Sequence, residues 1–215
     1  AIMCTPPPRH DLYTGANRMA LTRALTRLSI KDSALFVCDL QEKFRNNIVR
    51  FPEVCEVARR LIAAAHILEM PIIATEQYPK GLGHLVPELG IPEGTKVFDK
   101  TKFSMCIPPV HEALAPERKS VILCGIEAHV CVLETTLDLL ERGYGVHVVV
   151  DATSSRAPVD RAFAFKQMER AGAILTTSEC VILGLVGGSD HDKFKQVQKL
   201  IMTSAPDTGI QLAHI

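Results

Sequence analysis

The chain carries no excess of either charge: 24 Lys plus Arg stand against 24 Asp plus Glu in 215 residues, a formal net charge of +0. A nucleic-acid surface usually needs a basic field, so this balance predicts no nucleic-acid partner. No apolar run approaches the roughly 18 uninterrupted residues of a membrane span, which predicts no membrane partner. The cysteines lack pairing signals. There are seven, an odd number, and none stands in CxxC or CxxH spacing. Free thiols in a reducing compartment fit this pattern better than a disulfide framework, so a cytoplasmic protein is expected. Neither HExxH nor any His/Cys cluster suggests zinc, and no metal is expected. No GxGxxG follows the first strand-like run, so a dinucleotide site has no support and no cofactor is expected.

What is present is apolar and periodic. The apolar share is 47%, ample for a sizeable core. Residues 33–40 (SALFVCDL) are a continuous apolar run closing on an Asp, the pattern of a buried parallel strand. From 52 to 70 the apolar residues Val54, Val57, Ala58, Leu61, Ile62, Ala65 and Leu68 recur every three or four positions, an amphipathic helix that Pro71 stops. Further strands are expected at 71–75, 96–98, 120–125, 146–150 and 173–176. Helices at 109–114, 128–142 and 158–172 alternate with them, and 180–186 and 193–202 follow as helices. Pro158 and Gly172 bracket one of these with the usual asymmetry.

Strand then helix, repeated, means a parallel sheet covered on both faces. Right-handed crossovers make it an α/β, three-layer, doubly wound, Rossmann-like fold. One domain is expected over 29–203, with tails at 1–28 and 204–215. The prolines Pro6, Pro7 and Pro8 keep the first residues out of regular structure. Residues 19–28 carry Arg and no acid, as a mitochondrial leader can; the other reading is a surface arm leading into the first strand.

Candidate chemistry starts at Cys131, which follows an apolar strand and opens a helical pattern. The positive end of a helix dipole favours thiolate, the nucleophilic form. In a doubly wound sheet, ligands bind beyond the carboxyl ends of the strands where the winding reverses. Asp39 ends the first strand, Lys100 follows the third and Cys131 follows the fourth. If the first and fourth strands are neighbours, all three converge on one crevice. Asp39 would then take the thiol proton and Lys100 would stabilise the thiolate. Backbone N–H groups at the helix start would hold an oxyanion, each worth roughly 3 kcal/mol. Each residue also has a plainer reading: Asp39 as a turn former, Lys100 as a solvated lysine beside Lys96 and Lys102, Cys131 as core packing.

Four segments carry a resemblance: Cys38-Asp39-Leu40-Gln41-Glu42-Lys43-Phe44, Thr75-Glu76-Gln77-Tyr78-Pro79, Lys100-Thr101-Lys102-Phe103-Ser104-Met105 and Gly125-Ile126-Glu127-Ala128-His129-Val130-Cys131. In this order they are similar to the motifs of the isochorismatase-like cysteine hydrolase superfamily, nearest to its isochorismatase domain-containing branch. The resemblance implies a six-stranded parallel sheet in the order 3-2-1-4-5-6 and an Asp39–Lys100–Cys131 triad. The family pattern K-x-x-x-S selects Lys100 over Lys102, because Ser104 follows at that spacing. The resemblance also implies a non-proline cis peptide before Glu127, aiming the Glu127 and Cys131 N–H groups at one point as an oxyanion hole. Gln41 and Phe44 would lie by the substrate, and a homo-oligomer (dimer or tetramer) acting on a small molecule is implied.

Members named for isochorismate cleavage lack the cysteine, so Cys131 favours hydrolysis of an amide or related C–N bond. Glu76-Gln77-Tyr78-Pro79 stands where the metal-binding nicotinamidases carry Asp-x-His, which again predicts no metal. The alternative to an enzyme is a binding or interaction module, or a redox-responsive thiol protein, on the same fold. Among the histidines, His84 reads as a solvated loop residue and His147 as structural. His129 reads as either a substrate contact or a capping and packing residue.

Overall fold

Each residue of the first apolar run is buried, because the strand it forms is covered on both faces. In the computed structural model, which describes residues 27–210, that strand is β1 (Ser33–Cys38). With β2 (Ile72–Gln77), β3 (Lys96–Lys100), β4 (Ser120–Ile126), β5 (Gly145–Ser154) and β6 (Ile174–Thr176) it makes one sheet. The order is β3-β2-β1-β4-β5-β6 and every neighbouring pair is parallel, as the resemblance implied. The winding reverses between β1 and β4, which pair from Ser33↔Ser120 to Cys38↔Gly125.

The helices are α1 (Phe51–Ile67), α2 (Pro79–Leu82), α3 (Pro108–Ala113), α4 (Leu133–Glu141), α5 (Pro158–Ala171), α6 (Ser178–Val186) and α7 (Phe194–Ile201). The period of two along β1 divides the core. Leu35 and Val37 pack with α1 and α6 on one face. Ala34, Phe36 and Cys38 pack with α4 and α5 on the other, where Cys131 also lies. No helix among the described residues is long and apolar enough to cross a membrane.

Three elements differ from their sequence outlines. β5 runs four residues past Val150, because Ala152, Thr153 and Ser154 are fully buried beside the end of β4, where the register shifts between Leu123 and Gly125. Their polar side chains hid the strand. The segment 128–142 is not one α-helix: a π turn, Ala128–Val132, precedes α4. There the Val130 and Val132 N–H groups both donate to the Glu127 carbonyl at 3.1 Å. Apolar spacing cannot distinguish that wider turn from a regular one, and such turns are frequent at functional sites. The stretch 78–94 contains α2 and a 3-10 turn at Pro87–Leu89, and Leu85 bridges to Gln41.

The expected N-terminal tail falls almost wholly outside the described residues. Beyond α7 the chain is held to the fold. Arg60 donates to the Thr203 carbonyl at 2.8 Å, and the buried Arg161 donates to the Thr208 carbonyl at 2.6 Å.

Candidate active site

Asp39 is the first residue past β1. It adopts a left-handed conformation (φ 51°), which non-glycine residues rarely do outside Asn and Asp. That turn points the carboxyl inward, where it is 1% exposed. The neighbouring strand must come very close here. A Cβ on Gly125 (φ 126°) would lie 2.1 Å from the Cys38 carbonyl oxygen, so only glycine fits.

Lys100 closes β3, two strands away, and reaches over the end of β2 to Asp39. Its Nζ lies 2.6 Å from Asp39 Oδ2. Gln77 Oε1 at 2.7 Å, the Phe103 carbonyl at 2.8 Å and the Lys102 carbonyl at 3.2 Å complete its surroundings. The lysine side chain is 0% exposed, so none of its donors faces bulk water. Asp39 is equally engaged. Thr75 Oγ1 donates to Oδ1 at 2.8 Å and the Cys38 thiol donates to Oδ2 at 3.5 Å. Asp39 and Lys100 of the expected triad therefore meet directly, and Cys131 is buried in the same core cluster as Cys38, the residue before Asp39. Cys131 arrives there from the π turn after β4 and is 7% exposed.

Burial pushes the Asp39 carboxyl above the usual carboxylate range, against the opposing pull of the Lys100 ammonium and of the hydrogen bonds from Lys100, Thr75 and Cys131. Burial pulls Lys100 down, but the negative charges of Cys38, Asp39 and Cys131 outweigh it and leave the ammonium more firmly protonated than usual. Cys38 is pushed well above an ordinary thiol by burial first, then by its hydrogen bond with Cys131 and by the charge of Asp39. The cluster thus holds a fixed cation, a carboxyl pushed above its usual range and, at Cys38, a thiol that burial keeps protonated.

The Ile126–Glu127 peptide bond is cis. The Glu127 side chain turns toward Arg156, whose Nε lies 3.1 Å from Oε1. His129 Nδ1 lies 3.0 Å from Ser155 Oγ, so its side chain ties the π turn to the loop after β5 and does not cap the turn. Gln41 is fully buried and its amide is spent on backbone. Nε2 donates to the Gln77 and Gly83 carbonyls at 3.0 and 2.6 Å, and Oε1 accepts from the Gln77 N–H at 2.7 Å. It fixes the end of β2 and the loop beyond it. Phe44 packs against the α1-side core, whereas Cys131 belongs to the opposite one.

His84 is exposed and lies 2.9 Å from Glu76 Oε2, and the buried His147 sits within β5. Among the described residues, no group of three or more His, Cys, Asp and Glu side chains is placed to hold a metal ion.

Three members of the cluster had no role in the sequence reading: Thr75, Gln77 and Cys38. A signal for the first two existed. They stand two apart at the carboxyl end of β2, so they share a face beside Asp39.

A family model of the isochorismatase domain matches residues 33–180. Isochorismatase domain-containing protein 2 of Xenopus laevis is 54% identical over 194 residues, covering 89% of this chain and 94% of its own. The solved structure of MAR1 ribonuclease from Caenorhabditis elegans is 69% identical with a TM-score of 0.84, covering 86% of this chain and 97% of that one. YcaC from Pseudomonas aeruginosa, solved with hexane-2,5-diol and covalent acrylamide, is 27% identical with a TM-score of 0.75, covering 83% and 93%.

The second of these overturns one expectation. A zero net charge was read as excluding nucleic acid, and a protein 69% identical is described as a ribonuclease. The physical error lies in using a sum. Phosphate contacts depend on where cations sit, and a balanced total leaves a local basic surface entirely open.

Proposed function

This chain belongs to the isochorismatase domain family, and from that premise we propose that it is a cysteine hydrolase cleaving a small amide or related C–N bond through a covalent intermediate on Cys131. One observation carries the reading: a single buried carboxylate, Asp39, is bound by the Lys100 ammonium just past the end of β1, beside the β1–β4 reversal and on the side of the sheet where Cys131 is buried. Asp39 takes the thiol proton, and the sulfur attacks the substrate carbonyl carbon. The N–H groups of Glu127 and Cys131 hold the oxyanion. Collapse breaks the C–N bond, and the leaving amine takes its proton from the Asp39 carboxylic acid. Water then gives a proton to Asp39, attacks the thioester and releases the acid, and the sulfur leaves as thiolate. Lys100 stays charged throughout and keeps the developing negative charge from being stranded in a dry site. The carboxyl's displacement toward neutral pH suits a group that must alternate between base and acid. Covalent acrylamide on the Pseudomonas relative supports a reactive nucleophile on this scaffold.

A second reading, cleavage of RNA, is favoured by the ribonuclease relative. The same Asp39 would serve as base there. Against it stands Lys100, which is fully buried with four oxygens within 3.2 Å and has no donor left for a phosphate. One experiment separates the two. Wild type and Cys131→Ala are incubated with a panel of small amides and with labelled single-stranded RNA, followed by intact-mass analysis. The amidase reading expects an acyl adduct on wild type, absent from Cys131→Ala, with amide turnover. RNA cleavage that survives Cys131→Ala, with no adduct from any amide, would replace it.

A further inference from the structure

We propose that a cleft at the carboxyl end of β3 binds a guanine nucleotide, either free or as one unit of a single-stranded RNA. The inference goes beyond the reading of the Asp39–Lys100 site and does not depend on which bond is cut there.

The cleft holds about 330 Å³ and is lined by Tyr78, Pro79, Lys80, Asp99, Lys100 and Thr101. That volume lies within the range of small-molecule sites, roughly 300–1,000 Å³. Side chains alternate along β3, so Asp99 faces away from the side on which Lys100 reaches Asp39. An occupant held by Asp99 therefore sits across the end of β3 from the buried ammonium.

Tyr78 supplies a stacking surface. Its backbone is left-handed (φ 37°), a conformation that bulky residues seldom hold, and its N–H is tied to the Lys100 carbonyl at 2.9 Å. Strain of this kind is typical of ligand-binding positions. A Cβ on Gly81 would stand 2.6 Å from the Tyr78 ring, so the bare glycine gives the ring its seat. The tyrosine still stays 54% exposed, which leaves aromatic surface open to a flat base.

Two opposite charges share the cleft without meeting. Lys80 and Asp99 are both exposed, and neither has an ion-pair partner among the described residues. Glu76, opposite Asp99 on β2, is already spent: it accepts from the Leu85 N–H at 2.7 Å and lies 2.9 Å from His84. Asp99 is thus the carboxylate left for a ligand. Guanine suits it best. The N1–H and N2–H groups of guanine stand side by side and match the two oxygens of a carboxylate. Adenine and cytosine set one amino N–H beside a ring nitrogen lone pair, and uracil sets its N3–H between two carbonyls. The Lys80 ammonium is then available to the phosphate.

The full chain is titrated with GMP, with UMP and with a short uridine-rich RNA carrying one guanosine, by calorimetry and by saturation-transfer NMR. GMP is expected to bind, and UMP about tenfold more weakly. Tyr78→Ala and Lys80→Gln should each weaken GMP by about tenfold, the size of one lost stack or contact. Asp99→Asn should abolish the preference for GMP over UMP. All three side chains are exposed, and unchanged melting curves would verify that the variants fold. RNA that binds tighter than GMP assigns the cleft to RNA, and RNA that binds no tighter assigns it to the free nucleotide; both uphold the site. Neither heat nor saturation transfer with millimolar GMP overturns it. So does equal affinity for GMP and UMP, binding that all three substitutions leave unchanged, or a preference for free aromatic amino acids over GMP.

Discussion

Removing Lys100 should damage the protein more than removing the charge of its partner, and the structure says by how much. Lys100→Met leaves the Asp39 carboxylate in a dry site with only hydroxyl and thiol donors. Breaking a buried pair in this way costs about 3–5 kcal/mol. Asp39→Asn leaves the ammonium with three neutral oxygens, those of Gln77, Lys102 and Phe103, besides the new amide. Its loss should resemble that of one charged hydrogen bond, about 1.5–3 kcal/mol. Asn is the right replacement because it tolerates the left-handed backbone at position 39.

For a domain of this size each kcal/mol moves Tm by about 2–4 °C, so Lys100→Met should melt roughly 6–20 °C below wild type. The double variant should melt above Lys100→Met alone, since no charge is then stranded. The pH dependence has a definite sign. Lys100 opposes the burial that raises the Asp39 carboxyl, so its loss raises that carboxyl further. A raised acid favours the fold while protonated and loses that contribution as pH climbs through its folded value. The Lys100→Met defect should therefore be larger at pH 8 than at pH 5. Calorimetry of the four proteins at both pH values is the assay. Strict additivity of the two substitutions, or a Lys100→Met defect that grows toward acid, would refute the reasoning.

Thr75→Val deletes the 2.8 Å donor to Asp39 without changing side-chain shape. It should cost about 1.5–3 kcal/mol in urea denaturation and move the acid limb of the hydrolysis profile to higher pH, because the Thr75 hydroxyl helps hold the carboxyl down. Gly125→Ala places a Cβ against the Cys38 carbonyl at 2.1 Å and should abolish soluble expression, or leave a protein with no cooperative melting transition. His147 is buried in β5 and its Nε2 has no hydrogen-bond partner among the described residues; burial holds its imidazole below the ordinary value. Stability contributed by keeping it neutral is present above about pH 6.5 and is lost as pH falls through that region. His147→Leu should flatten the decline of Tm between pH 7.5 and pH 5.5, and an unchanged decline would exclude His147 as its source.

The fold was legible where burial is total. The run 33–40 could be read as a covered strand because nothing polar interrupts residues 34–38, and the 3.6-residue period of 52–70 could be read as a helix, α1, because one face of it meets water. Legibility failed where polar side chains are buried. Thr153 and Ser154 lie in β5, yet by composition they resemble a loop. Their burial comes from the neighbouring end of β4, which no local window contains. The π turn was hidden for a different reason: its hydrogen bonds are set by the backbone around Glu127, while Ala128–Val132 keep the apolar spacing of an ordinary helix.

At the proposed site, Asp39, Lys100 and Cys131 stand out in the sequence through their placement at strand ends and through the family motifs around them, and the structure joins Asp39 to Lys100. The residues that hold them in place do not stand out, because Thr75, Gln77 and Gln41 act through hydrogen bonds that exist only after β1, β2 and β3 align. Gln41 illustrates the cost of judging by position alone. It stands two residues past Asp39, where a substrate contact is natural, yet the hydrogen bonds of its side-chain amide run to the backbone of Gln77 and Gly83. Gln77 in turn receives Lys100. Gln41 therefore bears on the chemistry through a chain of contacts, Gln41 to Gln77 to Lys100 to Asp39, that sets where the ammonium rests. Neutral total charge failed by the same logic. The reactivity of this protein lies in where one cation and one carboxylate are buried, and a sum over the sequence carries no information about place.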